Sequence, residues 1–270
     1  MNKRKNIFIS IIFLLTISST VFSGELVIKG STTVLPIAQK AAEAYMAENP
    51  DVKISLSGGG SGNGIKAIID GTADIGNASR FIKQKEVSLA GTKDVYPVPF
   101  RIALDAIVPV VNGKNSVNNL TIAQLKDIYL GKIKDWKQIG GTPGKIVVIS
   151  RDSSSGTFGV WKELVMKDER VIPSALTVPS NGGIVQAVTT TPGAIGYVGL
   201  GYLTDGIKAV KVDGVEGSVQ NTLNGSFPIS RGLFMFTKGW PQGETMDFIS
   251  FILSRKGPDL VKEAGSIALF

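Results

Sequence analysis

Short apolar runs alternate along this chain with segments whose apolar residues recur at helical spacing. The runs are rich in Val and Ile and bounded by Gly, Ser, Asn and Asp. They predict strands over 25–29, 52–56, 96–99, 105–111, 145–150, 194–199, 207–212 and 232–237. The periodic segments predict helices between them. One over 33–46 aligns Leu35, Ala38, Ala42 and Tyr45, and a short one over 64–70 aligns Ile65, Ile68 and Ile69. Thr121 is placed to cap a helix carrying Ile122, Leu125, Ile128 and Tyr129. Phe158, Trp161, Leu164 and Val165 form a further stripe, and 246–253 another. This alternation predicts an α/β architecture with sheets flanked by helices.

Two apolar stretches, 103–111 and 229–237, stand near compositional seams, and the first is followed by the polar run 112–119. They are expected to be crossings between two lobes. Two central strands of one sheet would show the same periodicity. The expected limits are 1–23 for a leader, 24–108 plus 233–270 for the first lobe, and 109–232 for the second.

The leader says where the chain works. Lys3, Arg4 and Lys5 precede an apolar run over 7–15, and Val21 and Ser23 lead to a cut ahead of Gly24, as in a cleavable signal peptide. As a membrane anchor, 7–22 is short, since a span takes roughly 20 apolar residues. Cysteine is absent, so no disulfide and no lipid-modified cysteine can form. A freely diffusing periplasmic monomer is expected. Without the leader, 26 Lys and Arg face 22 Asp and Glu, a mild excess that suits capture of an anion. The basic residues are scattered, so nucleic acid is not an expected partner. Histidine is absent too, which excludes a Ser-His-Asp triad and a His-ligated zinc or copper site. No cofactor or metal is expected.

Four polar, glycine-rich tracts mark predicted element junctions: 30–34, 57–64, 76–80 and 151–157. A helix start presents unpaired N–H groups and partial positive charge, which suits an oxyanion. Glycine lets the backbone approach, and Ser or Thr adds a hydroxyl and a cap. Each tract alone has an ordinary alternative as an N-cap, a flexible turn or a solvated arginine. The tract 57–64 also lacks the Gly-Lys-Ser/Thr ending of a nucleotide phosphate loop. Repetition is what points to a tetrahedral oxyanion, with Arg151 four residues ahead of Ser155, Gly156 and Thr157. A guanidinium fork can hold two oxygens while helix N–H groups hold others.

Lys29-Gly30-Ser31-Thr32-Thr33-Val34, Gly58 to Gly62, Asp74-Ile75-Gly76, Ile128-Tyr129-Leu130-Gly131-Lys132-Ile133 and Arg151 to Thr157 together resemble the phosphate-binding subunits of bacterial phosphate ABC importers. The resemblance covers essentially the whole chain after the leader. It implies a two-lobed periplasmic-binding-protein fold of the class II type, with inorganic phosphate held in a cleft between lobes joined by two crossing strands. It also implies delivery to a membrane permease. By position, Thr33 and Val34 resemble the first-loop donors, Val34 through its backbone, with Thr32 beside them as a further candidate; Ser61 resembles the second-loop hydroxyl, and Arg151, Ser155, Gly156 and Thr157 the second-lobe clamp. The best-known branch has an aspartate after the pair that here is Ala78-Ser79, where this chain has Arg80. The resemblance implies that this aspartate accepts a hydrogen bond from the phosphate's P–OH, which is how sulfate is rejected.

Asp105 is the expected replacement, because a carboxylate amid apolar residues must face a polar cleft or be paired. Arg80 or Arg101 is its expected partner if paired, and Arg80 is otherwise a second cation at the anion, beside Ser79. Ser180-Asn181-Gly182-Gly183 reads as a plain helix start or a fifth anion-facing junction. Arg231 reads equally as a hinge charge or a ligand contact. Trp136, Trp161 and Trp240 read as packing residues. The leading expectation is a solute-binding protein, not an enzyme. An exported phosphatase on the same fold, or a carrier of sulfate or molybdate, is the alternative.

Overall fold

The computed structural model describes residues 25–270, and the leader expected over 1–23 lies outside them. The chain opens with β1 (Glu25–Gly30), α1 (Leu35–Glu48), β2 (Lys53–Ser57), α2 (Ser61–Ile69), β3 (Ile75–Ala78), α3 (Gln84–Gly91) and β4 (Val98–Asn112). It continues through β5 (Asn119–Leu120), α4 (Ile122–Tyr129), β6 (Val147–Arg151), α5 (Gly156–Leu164), β7 (Leu176–Val178), α6 (Asn181–Thr190) and β8 (Ala194–Gly199). Then come β9 (Ile207–Ala209), β10 (Lys211–Val212), α7 (Val219–Leu223), β11 (Ser230–Thr237), α8 (Gly243–Leu253) and α9 (Gly257–Glu263).

The main sheet runs β2-β1-β3-β11-β4-β8-β6-β7, with β9 also on β4. β4 spans both lobes. Its first part, to Ala106, pairs antiparallel with β11, and from Ile107 it pairs with β8. On either side lie parallel pairs: β1 with β2 and β3, and β6 with β7 and β8. Each end is thus a βαβ layer whose strands are covered by helices. The apolar cores divide accordingly. Ile28, Ile37, Ala103, Leu233 and Phe248 belong to one cluster, and Ile107, Tyr129, Trp161, Tyr197 and Ile229 to another.

The crossing expected over 103–111 is the inner part of β4, which begins earlier, at Val98. Pro99 and Arg101 interrupt the apolar pattern there, which made one strand read as two. The return falls at the start of β11: Ile229, just before it, sits in the second core and Leu233 in the first. The strand expected over 207–212 is two short ones on different partners. Trp136 and Trp161 are buried as expected, but Trp240 is 70% exposed.

Local chemistry sets several helix starts. Thr121 Oγ1 accepts from Gln124 N at 3.0 Å and Gln124 Oε1 accepts from Thr121 N at 2.9 Å, a reciprocal cap on α4. Behind β6, Trp161 stacks on Tyr197 with centroids 4.3 Å apart, and Tyr129 packs against both. The Tyr197 hydroxyl bonds Ser150 Oγ at 2.9 Å and accepts from Arg151 N at 3.3 Å. Burial pushes that hydroxyl up to about 12, so it stays protonated at neutral pH. The aromatic cluster therefore fixes the end of β6, where Arg151 leaves the sheet.

Candidate functional site

Four loops meet where the lobes face each other. From the first lobe come the turn before α1 and the start of α2. From the second come the 151–157 turn into α5 and the start of α6. The lobes are closed on one another: Gly62 N donates to Ser154 O at 2.8 Å, and Ser154 Oγ donates to Gly59 O at 3.0 Å. Gly60 has φ 99°, and a Cβ there would fall 2.3 Å from Ser154 Oγ, so this approach requires glycine. Gly156 is equally constrained, because its Cβ would lie 2.2 Å from Ser61 Oγ and 2.6 Å from Ser79 Oγ.

Arg151 is 3% exposed, yet its acceptors are all neutral. Nε donates to Val178 O at 3.2 Å, and Nη2 donates to Pro179 O at 2.9 Å and to Thr32 Oγ1 at 3.5 Å. Nη1 has no partner. Burial pushes this guanidinium below its ordinary value, and the neighbouring Arg231 pushes the same way. Asp152, next in the chain, turns instead to Ser154. The result is a buried cation without a neutralising carboxylate, with the Nη1–Nη2 edge towards Thr32. Beside it, Ser155 Oγ caps α5 by accepting from Phe158 N at 3.2 Å, while the Gly156 and Thr157 N–H groups stand at the helix start.

The first lobe supplies hydroxyls. Thr33 Oγ1 lies 3.1 Å from Thr157 Oγ1 across the interface, and Ser61 Oγ lies 3.3 Å from Ser79 Oγ. Val34 is buried at the N-cap of α1, behind Thr33. Of the expected residues, the structure gathers Thr32, Thr33, Val34, Ser61, Ser79, Asp105, Arg151, Ser155, Gly156 and Thr157 into one buried constellation.

The expected pairing is corrected. Asp105 is paired neither with Arg80 nor with Arg101. Its Oδ2 accepts from Arg231 Nε at 2.9 Å and Nη2 at 2.6 Å, and its Oδ1 accepts from Leu200 N at 2.9 Å. Arg80 places its fork on Glu86, at 2.8 and 2.7 Å, with Phe81 O as a further acceptor of Nη1. The pair is local, six residues apart, and Lys83 N completes it by donating to Glu86 at 2.8 Å. The Cδ and Nε of Arg80 lie towards Gly159 of the second lobe, and this Nε is buried without an acceptor.

Two residues gain weight. Arg231 bridges the lobes, donating also to Ser79 O and Ser79 Oγ at 3.2 Å each and to Thr33 Oγ1 at 3.3 Å. Asn181 is fully buried and donates across the cleft to Thr32 Oγ1 at 3.2 Å and Thr33 Oγ1 at 3.0 Å. Its sequence signal, a polar residue inside a Ser-Asn-Gly-Gly helix start, is the same one that marks an ordinary cap.

Two lobes closing on a buried, uncompensated cation and a ring of hydroxyls define a binding protein for a small oxyanion. Residues 18–256 match the PBP superfamily domain. The chain is 34% identical to the phosphate-binding protein PstS of Bacillus subtilis strain 168, over 86% of this chain and 76% of that one. It is 35% identical to the PstS of Staphylococcus saprophyticus, over 91% and 81%. A substrate-binding protein of Clostridium perfringens, solved with bound phosphate, superposes with TM-score 0.86 at 38% identity, over 92% of this chain and all of that one. An ABC-type phosphate transport receptor of Vibrio cholerae gives 0.73 at 32% identity, over 90% and 99%. The chain belongs to the PBP superfamily, in the phosphate-binding protein family of these relatives.

Proposed function

We propose that this chain captures inorganic phosphate between its lobes and delivers it to the membrane permease of a phosphate ABC importer. The observation that carries the reading is Arg151: buried, unneutralised, and with Nη1 lacking any acceptor. A tetrahedral dianion supplies the missing charge and the missing acceptors at once. Asp105 Oδ2 has both lone pairs filled by Arg231, and Oδ1 keeps one after Leu200 N. That lone pair can accept a P–OH, which sulfate lacks. The names of the relatives and the phosphate bound in the Clostridium perfringens structure support the same ligand.

The role is binding without chemistry. In the cleft, Ser155 is committed to its cap, Ser79 to Arg231, and Asp105 to Arg231 and Leu200 N, while the one carboxylate that meets a serine here, Asp152 on Ser154, is held within the 151–157 turn by the Ser154 N–H. The reading includes export as a periplasmic monomer, with lobes over 24–108 plus 233–270 and over 109–232. Transport follows from differential recognition, because only the loaded protein favours the closed surface presented to the permease.

A thermal-shift measurement tests the ligand. Phosphate at a hundredfold excess over Kd should stabilise the protein by about 2.7 kcal/mol, which for a chain of this size raises Tm by roughly 5–10 °C. Sulfate at the same concentration should leave Tm unchanged. An equal rise with sulfate would replace the phosphate assignment by a general oxyanion carrier.

A further inference from the structure

Thr33 Oγ1 is surrounded in a way that fixes its direction. A hydroxyl has two lone pairs and one proton. Asn181 Nδ2 at 3.0 Å and Arg231 Nη2 at 3.3 Å can only donate, and between them they fill both lone pairs. The amide cannot be turned over without cost. Asn181 Oδ1 accepts from Gly199 N at 3.4 Å, and a flip would set an NH2 group against that N–H. The Thr33 proton must therefore be given away, to Thr157 Oγ1 or to a ligand oxygen. Asn181 belongs to the second lobe and Thr33 to the first, so the constraint exists only when the lobes are closed.

We propose that Asn181, together with Arg231, locks the Thr33 hydroxyl as an obligatory donor in the closed state, so that the site admits a bare oxyanion oxygen there and refuses a protonated one. The inference rests on the phosphate reading above and deepens it. Asp105 gives one position that takes a P–OH, and Thr33 becomes a position that cannot. A monohydrogen phosphate satisfies both, whereas a dihydrogen phosphate brings a second proton that one fewer group can accept. Asn181 acts through Thr33 and is a positioning residue. The charged groups around the pair are Arg231 from β11, Asp105 from β4 and Arg151 from β6. Tyr202 OH donates to Thr32 O on the same loop.

The test is calorimetric titration with inorganic phosphate at two pH values on either side of the ion's second ionisation. Wild-type protein should bind total phosphate roughly tenfold to a hundredfold more weakly on the acidic side. In Asn181→Ala the hydroxyl is free to accept, and the acidic penalty should fall to within about threefold. Thr33→Val should flatten the profile in the same way, and adding Asn181→Ala to it should change the ratio no further. A merely structural role for Asn181 would lower affinity equally at both pH values. An Asn181→Ala profile as steep as wild type, or a wild-type profile already flat, overturns the lock while leaving phosphate binding in place. Absence of binding at either pH would instead remove the phosphate reading itself.

Discussion

Replacing Arg151 with alanine is expected to weaken phosphate binding by roughly 30- to 5,000-fold, the equivalent of about 2–5 kcal/mol for truncating one partner of a buried, hydrogen-bonded charge pair. Isothermal titration of the two proteins measures it. Arg151→Lys should recover only part of the loss, since an ammonium keeps the charge but cannot span two oxygens while also holding Val178 O and Pro179 O. The ligand-free protein should respond differently. A buried cation without a counter-charge is a cost to folding, so Arg151→Met should unfold within about 4 °C of wild type when no ligand is present. Parallel loss of binding and of ligand-free stability would make Arg151 a structural residue instead.

Asp105→Asn is expected to act on stability and on selectivity together. Arg231 would remain buried without its carboxylate, and breaking such a pair costs about 3–5 kcal/mol. For a chain of this size that is a fall in Tm of roughly 6–20 °C. An asparagine can face its oxygen to Arg231 or to Leu200 N, but its NH2 then confronts the other donor. In the cleft, the acceptor for a P–OH is lost and a negative charge is removed, so phosphate should bind more weakly and sulfate more tightly. A site organised around one such hydrogen bond discriminates by about 10⁴–10⁵, and most of that should vanish. Competition titrations of phosphate against sulfate on the variant provide the measurement. Retained discrimination would place the proton acceptor elsewhere in the cleft.

Where the sequence could be read, the chemistry was local. Arg151 with Ser155, Gly156 and Thr157 lies within one strand-to-helix turn, and a fork beside a capped helix start is legible from spacing alone. Thr33 and Ser61 lie in turns of the same kind. The unread parts depend on partners far along the chain. Asp105 meets Arg231 at a separation of 126 residues, and Asn181 meets Thr33 at 148. Nothing in the neighbours of either residue encodes that meeting. Arg80 differs: its partner Glu86 is only six residues away, and its buried Nε keeps no acceptor. The same division holds for the fold. α1 and α4 carry clear stripes, whereas β3 is four residues, Ile75-Gly76-Asn77-Ala78, and is buried on both faces by α2 and its neighbours. Its glycine and asparagine read as a loop, and only tertiary packing makes it a strand.

The central claim is that an unneutralised Arg151 and a single free acceptor on Asp105 make this cleft a phosphate site. The most direct measurement is a calorimetric titration of phosphate-stripped protein with inorganic phosphate, in buffer and again in a large excess of sulfate. The account predicts one phosphate per chain in both titrations, with an affinity that sulfate does not alter. Phosphate heat abolished by sulfate, or sulfate binding with equal affinity, would contradict it.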